Sequence, residues 1–447
     1  YSSSEKAMLP LRVSARSRVS RSRPRAALDG GANEARPGRR DCSCPFRRWR
    51  LRMFRSMGTA SPQSKNLRKT TIIILVKFIR IEIRLPMHGF LKSISLNRKV
   101  REDRQETQME FTLHTTFETL TSISREWDEL LSESVTDAPF LRFDYLRDWW
   151  QTLGGGEWPQ AELTVVAARE AGRLIGVAPL FQTVNRDGES ALMLLGSIEI
   201  SDYLDLIVRP ADLSRFVTGL LDFLASRVTS GWRALDWYNL PEASPTLPAL
   251  EADASARGWT FTREVYQPAP YIPLPADFET YLAGIDKKQR HEIRRKMRRA
   301  AESEIPVRWY LVEDESALES EMEAFFALMS QDPAKEEFLT EPMRRQMLAA
   351  ARTALRGGWL WLAFLEVGGK KAAGAFNFDY GNRLWGYNSG VDRSFNEFSP
   401  GWVLLAYTLQ WACKHGRSEF DFMRGNEEYK YRFGGKDRRV MRGRVIR

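Results

Sequence analysis

Two distant stretches of this chain repeat one order of elements, and that duplication limits the possible folds more than any single motif does. Gly172–Phe181 (GRLIGVAPLF) is echoed by Gly369–Phe378 (GKKAAGAFNF), and Arg233–Asn239 (RALDWYN) by Ser418–Arg424 (SEFDFMR). The offsets, 197 and 185 residues, fit a duplicated domain with altered loops. Each half reads as two helices, a hairpin, a strand, a helix and a strand. In the first half, helical spacing covers Phe117–Leu131 and Phe140–Leu153, and a hairpin joins Leu163–Ala168 to Leu174–Phe181. Further strand pattern covers Leu192–Val208, a helix opens at Pro210, and Arg233–Leu240 is a strand. In the second half, Leu318–Ser330 and Pro342–Leu355 are helices, and Trp359–Val367 turns back as Lys371–Tyr380. Strand Arg383–Val391, a helix from Ser399 and strand Glu419–Met423 follow. The expected fold class is mixed α/β, with a mostly antiparallel sheet flanked by helices in each half.

Charge divides the chain differently. The whole carries 67 Lys+Arg and 57 Asp+Glu, a balance of +10. Residues 1–108 hold 26 basic and 8 acidic residues, so the remainder is mildly acidic and the overall pI says little about nucleic acid. Residues 1–108 are rich in Arg, Ser, Pro and Gly and are expected to be a disordered basic extension, upstream of a start at Met109. The apolar run Thr71–Leu85 is broken by Lys77, Arg80, Glu82 and Arg84, which rules out a transmembrane helix; a basic amphipathic anchor is the alternative. Cys42, Cys44 and Cys413 are too few and too separated from histidine for a zinc site, and no metal is expected. They fit a reducing, cytoplasmic setting.

The expected domains are 109–277 and 305–447, joined by a single helix over 278–304. That helix has a narrow apolar seam and a basic face of Lys287, Lys288, Arg290, Arg294, Arg295, Lys296, Arg298 and Arg299. It is either a solvated connector or an anion-facing surface. After it, Ser399-Pro400-Gly401 suits a helix start, with Ser399 as the cap and Pro400 in the first turn. A helix start beside a buried strand is a place to bind an anion, often a phosphate.

The hairpin, Tyr387-Asn-Ser-Gly390, Ser399-Pro-Gly-Trp402 and Phe420-Asp-Phe-Met-Arg-Gly-Asn-Glu-Glu-Tyr-Lys-Tyr-Arg-Phe-Gly434 together resemble the CelD/BcsL-type acetyltransferases. Those are tandem proteins of the GCN5-related N-acetyltransferase (GNAT) superfamily, linked to cellulose and exopolysaccharide production. The basic helix also resembles one in the Fem-type aminoacyltransferases. The likeness runs from about residue 111 to the end. It implies tandem GNAT-like domains and an acetyl-CoA site in the second half. The pantetheine arm would lie along Tyr387, Asn388 and Ser389, and the pyrophosphate on the N–H groups near Ser399, Gly401 and Trp402. The one-glycine stretch Asn396–Gly401 departs from the superfamily's usual phosphate loop. Arg209-Pro210-Ala211-Asp212 occupies the equivalent place in the first half, where Asp212 would repel a pyrophosphate.

Acyl transfer from a thioester to an amine needs a neutral amine, a stabilised oxyanion and a proton for the leaving thiolate. A backbone N–H of the Tyr387–Ser389 strand would serve the oxyanion. The resemblance puts the thiolate's acid among Tyr429, Lys430 and Tyr431. Asp421 is either a base or a structural carboxylate, and Arg424 and Asn426 are candidates for the acceptor site. Asp379 and Asp392 are weaker bases; His291 and His415 read as surface residues. Three functions are in view: an acyltransferase acting on a sugar or envelope-polymer precursor, a Fem-like transferase using aminoacyl-tRNA, and an inactive scaffold bound to a polysaccharide synthase.

Overall fold

The computed structural model describes residues 108–226 and 231–447, together with strands β1 (Thr71–Val76) and β2 (Ile79–Arg84). The two strands belong to a compact unit of their own and pair antiparallel, from Thr71 against Arg84 to Val76 against Ile79. Within the Thr71–Leu85 run, Thr71–Val76 and Ile79–Arg84 are therefore strands and not a helical anchor. The run's β-branched isoleucines and the alternation in Ile79–Arg84 favour strands. The rest of the expected disordered extension lies outside the described residues.

The second unit begins with β3 (Glu110–His114), α1 (Ser124–Leu131) and α2 (Phe143–Gly156). Strands β4 (Ala161–Leu163), β5 (Val165–Glu170), β6 (Arg173–Ala178), β7 (Leu180–Val184), β8 (Ser190–Leu194) and β9 (Ile207–Val208) follow. Then come α3 (Leu213–Ser226), β10 (Ala234–Pro241), α4 (Thr246–Ala256), β11 (Thr260–Pro268) and β12 (Tyr271–Pro273). The stretch read as one long helix is two, α5 (Phe278–Gly284) and α6 (Lys287–Ala301). The break has a local cause. The first helix stops at Gly284, and the Asp286 side chain accepts from Lys288 N and Gln289 N to cap the second. The second half runs β13 (Val307–Leu311), α7 (Leu318–Met329), α8 (Pro333–Phe338), α9 (Glu341–Arg356), β14 (Leu360–Val367), β15 (Lys370–Tyr380) and β16 (Arg383–Val391). It ends with α10 (Pro400–Lys414), β17 (Glu419–Asp421), α11 (Glu428–Arg432) and β18 (Arg439–Ile446).

The sheet orders carry the repeat. One sheet is β3-β5-β6-β9, and its counterpart begins β13-β14-β15-β16 with the same antiparallel pairing. The fold is thus mixed α/β, with two halves that repeat one sheet order. The boundaries expected at 277 and 304 do not separate the sheets, because strands cross between halves. The last strand, β18, lies between β10 and β11, and β12 from the first half joins β17 of the second. One core cluster runs through both halves: Phe140 meets Phe378 at 5.9 Å and Tyr203 meets Trp385 at 5.5 Å. A second cluster lies where α5, α6 and α10 cover the other face of the second-half sheet. Among the described residues no helix is long and apolar enough to cross a membrane.

Candidate functional site

Strands β16 and β17 run parallel and pair only at Arg383–Glu419, Leu384–Phe420 and Trp385–Asp421. Beyond that point β16 continues to Val391, while the other chain turns away through Met423 and Gly425, both at positive φ. The strands splay, and a cleft of about 630 Å³ opens between them. Gly386–Ser389 line one wall, Phe420 and Phe422–Gly425 the other, and Gly401, Trp402, Leu404, Leu405 and Thr408 of α10 close one side. The β15–β16 register slips here: Phe376 pairs with Asn388 but Asn377 pairs with Gly386. Tyr387 is the extra residue of a bulge, which disrupts the ladder and frees main-chain groups. Its ring is packed against Phe376 and Phe378, and its phenol donates to the Ile200 carbonyl at 3.0 Å.

Helix α10 begins at the open end of this wedge. Pro400 has no N–H, and among the described residues the N–H groups of Gly401 and Trp402 find no protein acceptor. A Cβ on Gly401 would sit 3.0 Å from Val391 Cγ2, so glycine lets the helix start lie against the end of β16. The expectation that Ser399 caps this helix is not met. Ser399 sits at φ 52°, its side chain makes no cap bond, and its hydroxyl is 2.6 Å from Lys296 Nζ. Lys296 comes from the basic face of α6 and stands 5.2 Å from the Trp402 ring centroid. The helix start therefore pairs unfilled amides with a lysine, and both favour an anion. Tyr387, Asn388, Ser389, Gly401 and Trp402 all border the cleft; Ser399 stands behind it through Lys296.

The proposed acids and bases are separated by their surroundings. Asp421 is fully buried and off the cleft wall. Its carboxylate accepts from Tyr203 Oη at 2.8 Å, Arg438 Nη1 at 2.9 Å and Met423 N at 2.7 Å. With its oxygens so engaged it is a structural carboxylate, and the base role is not supported by its position. Burial pushes its pKa up to about 7, against the downward pull of Arg438. Unfolded, an aspartate titrates near 3.9. The native state thus holds this proton more tightly, and the stability so contributed is full below about pH 4 and is lost as pH rises through 7. We expect Asp421→Asn to remove that loss, up to about 1.4 kcal/mol per pH unit, in urea unfolding across this range.

Lys430 borders the cleft but is buried at 2% exposure and donates to the carbonyls of Met423, Arg424 and Gly425, which fixes that turn of the wall. Tyr431 is 38% exposed, bonds Asp437 at 3.1 Å and does not border the cleft. Tyr429 does border it, and among the described residues its hydroxyl has no protein partner. The Tyr429 pKa is raised, by desolvation first and then by the Glu427 carboxylate, although the residue is 39% exposed. It keeps its proton at neutral pH and can donate a hydrogen bond to an anion forming in the cleft. Arg424 borders the cleft but is spent on Asp202, the Glu199 carbonyl and Asn239; Asn426 is exposed and off the wall. The acceptor-site role of both is therefore not supported by their placement. Asp379 is tied to Arg417, Asp392 caps Ser394, and His415 stacks on Trp411 at 4.2 Å.

Some wall residues were not singled out from sequence. Lys335 of α8 donates to the Ser389 carbonyl at 2.6 Å and reaches Asn388 Oδ1 at 3.3 Å, and burial lowers its pKa. Glu199 and Asp202 come from the first half and Glu427 from the second. Asn377 borders the inner end. Its signal was present: it is the lone polar residue within Ala372–Phe378, a strand otherwise of Ala, Gly and Phe.

Residues 287–431 match the family model for the acetyltransferase (GNAT) domain. No curated protein matches this chain. Among solved structures, FemX is similar over 74% of this chain and 96% of its own, with 12% identity and a TM-score of 0.52. A conserved protein of unknown function from Bacteroides thetaiotaomicron aligns over 76% of this chain and 100% of its own, with 12% identity and a TM-score of 0.49. A tandem GNAT protein from the clavulanic acid biosynthesis pathway aligns over 75% and 98%, with 14% identity and a TM-score of 0.40. The splayed strands, the bulge and the helix start all lie in the matched span, residues 287–431.

Proposed function

We propose that the chain is an acyl-CoA-dependent N- or O-acyltransferase, with acetyl-CoA as donor and a sugar or envelope-polymer precursor as acceptor. One observation carries this reading: a parallel strand pair that splays at Trp385, with the unfilled amides of Gly401 and Trp402 at its open end. The donor's diphosphate would rest on those amides and on Lys296. Its pantetheine arm would follow β16 toward the Tyr387 bulge, where a freed N–H can hold the oxyanion. Lys335 now caps the Ser389 carbonyl and would have to move aside or bond the arm itself.

In the reaction the acceptor's lone pair attacks the thioester carbonyl, and the tetrahedral oxyanion collapses with cleavage of the C–S bond. The acceptor loses a proton to solvent, and the leaving sulfur takes one from Tyr429, which solvent reprotonates at once because its phenolate is the stronger base. Replacing Tyr429 with Phe removes only the hydroxyl. We expect Tyr429→Phe to lower kcat about 100-fold with CoA affinity nearly unchanged, and Tyr431→Phe to leave both as they were. Free-thiol release from acetyl-CoA, measured with amino sugars and sugar alcohols as acceptors, tests the activity. Thiol release no faster with any acceptor than with water would count against it.

A Fem-like use of aminoacyl-tRNA is the second reading. It is favoured by the exposed cations of α6, where Lys287, Lys288, Arg298 and Arg299 have no salt-bridge partner among the described residues. Reversing those four charges would abolish tRNA-dependent transfer but spare a CoA-dependent one.

A further inference from the structure

At the inner end of the cleft a polar side chain is buried without a partner. Asn377 is 3% exposed, borders the cleft, and its Nδ2 has no hydrogen-bond acceptor among the described residues. Its cross-strand neighbours are Trp361 on β14, whose indole N–H is also unpartnered, and Gly386 on β16, next to the Tyr387 bulge. Also on the cleft wall, Thr408 of α10 donates its hydroxyl proton to the Leu404 carbonyl at 2.8 Å, so its lone pairs stay free. Around them the strand faces are small: Ala373, Ala375 and Gly386 leave the space open. A buried amide donor without an acceptor is costly, and native proteins rarely keep one unless something fills the site.

We propose that Asn377 and Thr408 form a subsite for the transferred acyl group, and that this group carries a hydroxyl. The proposal rests on the acyl-CoA reading above. A diphosphate at Gly401 lies beside Val391, and from there β16 spans about 16 Å back to Gly386 at roughly 3.3 Å per residue. A donor laid along that strand brings its thioester to the level of the bulge, and the acyl chain beyond the carbonyl to Asn377. Once the Asn377 amide, whose Nδ2 is enclosed in this structure, rotates toward the cleft, the hydroxyl oxygen accepts from it and the hydroxyl proton goes to a lone pair of Thr408. An alkyl group of equal size would leave the amide unpaired and displace any water there.

Calorimetry with CoA, butyryl-CoA and 3-hydroxybutyryl-CoA, on the wild-type chain and on Asn377→Leu, tests this. The wild type should bind the hydroxyacyl donor at least about 10-fold more tightly than the butyryl one. Asn377→Leu should erase that preference while CoA affinity changes less than about 2-fold, and should melt no lower than wild type. If the leucine variant does not fold, Asn377→Ser should show the same loss of preference. Equal binding of the two acyl donors by the wild type, or a preference retained in the variants, overturns the subsite. Wild-type protein that binds no CoA at all would overturn the acyl-CoA reading, and the subsite with it.

Discussion

Gly401→Asp is expected to weaken acetyl-CoA binding by at least about 100-fold while the protein still melts cooperatively. A carboxylate in the first turn is ordinarily welcome at a helix N-terminus, so the helix itself does not lose. The loss comes from the ligand. The aspartate would place its own charge where the diphosphate belongs and would compete for the amides of Gly401 and Trp402. Its Cβ also meets Val391 Cγ2 at 3.0 Å and would push the helix start off the end of β16. Lys296, with Glu292 3.4 Å away, would gain a second carboxylate partner and lose its interest in a phosphate. Lys296→Met should weaken binding by a smaller factor, because the amides remain. An unchanged affinity in Gly401→Asp would remove the helix start from the site.

The second large effect concerns β18, no residue of which lines the cleft. Deleting residues 439–447 should abolish cooperative unfolding, although the GNAT domain match ends at residue 431. Strand β18 is an inner strand, paired on one side with β10 and on the other with β11. Its removal would expose two rows of backbone groups and the contacts of Val440 and Val445, which are 0% and 1% exposed. It would also strand a charge. Asp236 is fully buried and held by Arg442 at 2.7 and 2.8 Å through both carboxylate oxygens. Breaking a buried pair from one side costs about 3–5 kcal/mol, a large share of a typical 5–15 kcal/mol stability. Arg442→Met alone should lower the urea midpoint markedly without unfolding the chain. A truncated protein with a normal melt would contradict the strand exchange between halves.

Much of the architecture was legible because local signals agreed with it. The hairpin glycines, the Arg383–Val391 alternation and the Ser-Pro-Gly helix start each mark one element, and the duplication orders them. The strand exchange was not legible. Met441 and Val445 alternate with Arg442 and Arg444 as an amphipathic strand would, but no local pattern says which sheet a strand joins. Residues 271–273 are too short to signal their pairing with β17. The single long helix over 278–304 failed at Gly284-Ile285-Asp286, where a stop and a cap lie close together. Within the site, main-chain roles were easier to anticipate than side-chain ones. The amides of Gly401 and Trp402 follow from the helix start itself. Asp421 looked catalytic because it sits between chemical neighbours in sequence. Only the packing of Tyr203 and Arg438, 218 residues before and 17 after it, reveals that its oxygens are taken.

A crystal structure of the chain soaked with CoA examines the central claim most directly. The account predicts the pyrophosphate oxygens within hydrogen-bond distance of the Gly401 and Trp402 amides, with the pantetheine arm beside Tyr387–Ser389 and Lys335 displaced from the Ser389 carbonyl. Coenzyme density elsewhere, or a wedge that stays closed around Lys335 at saturating CoA, would contradict it.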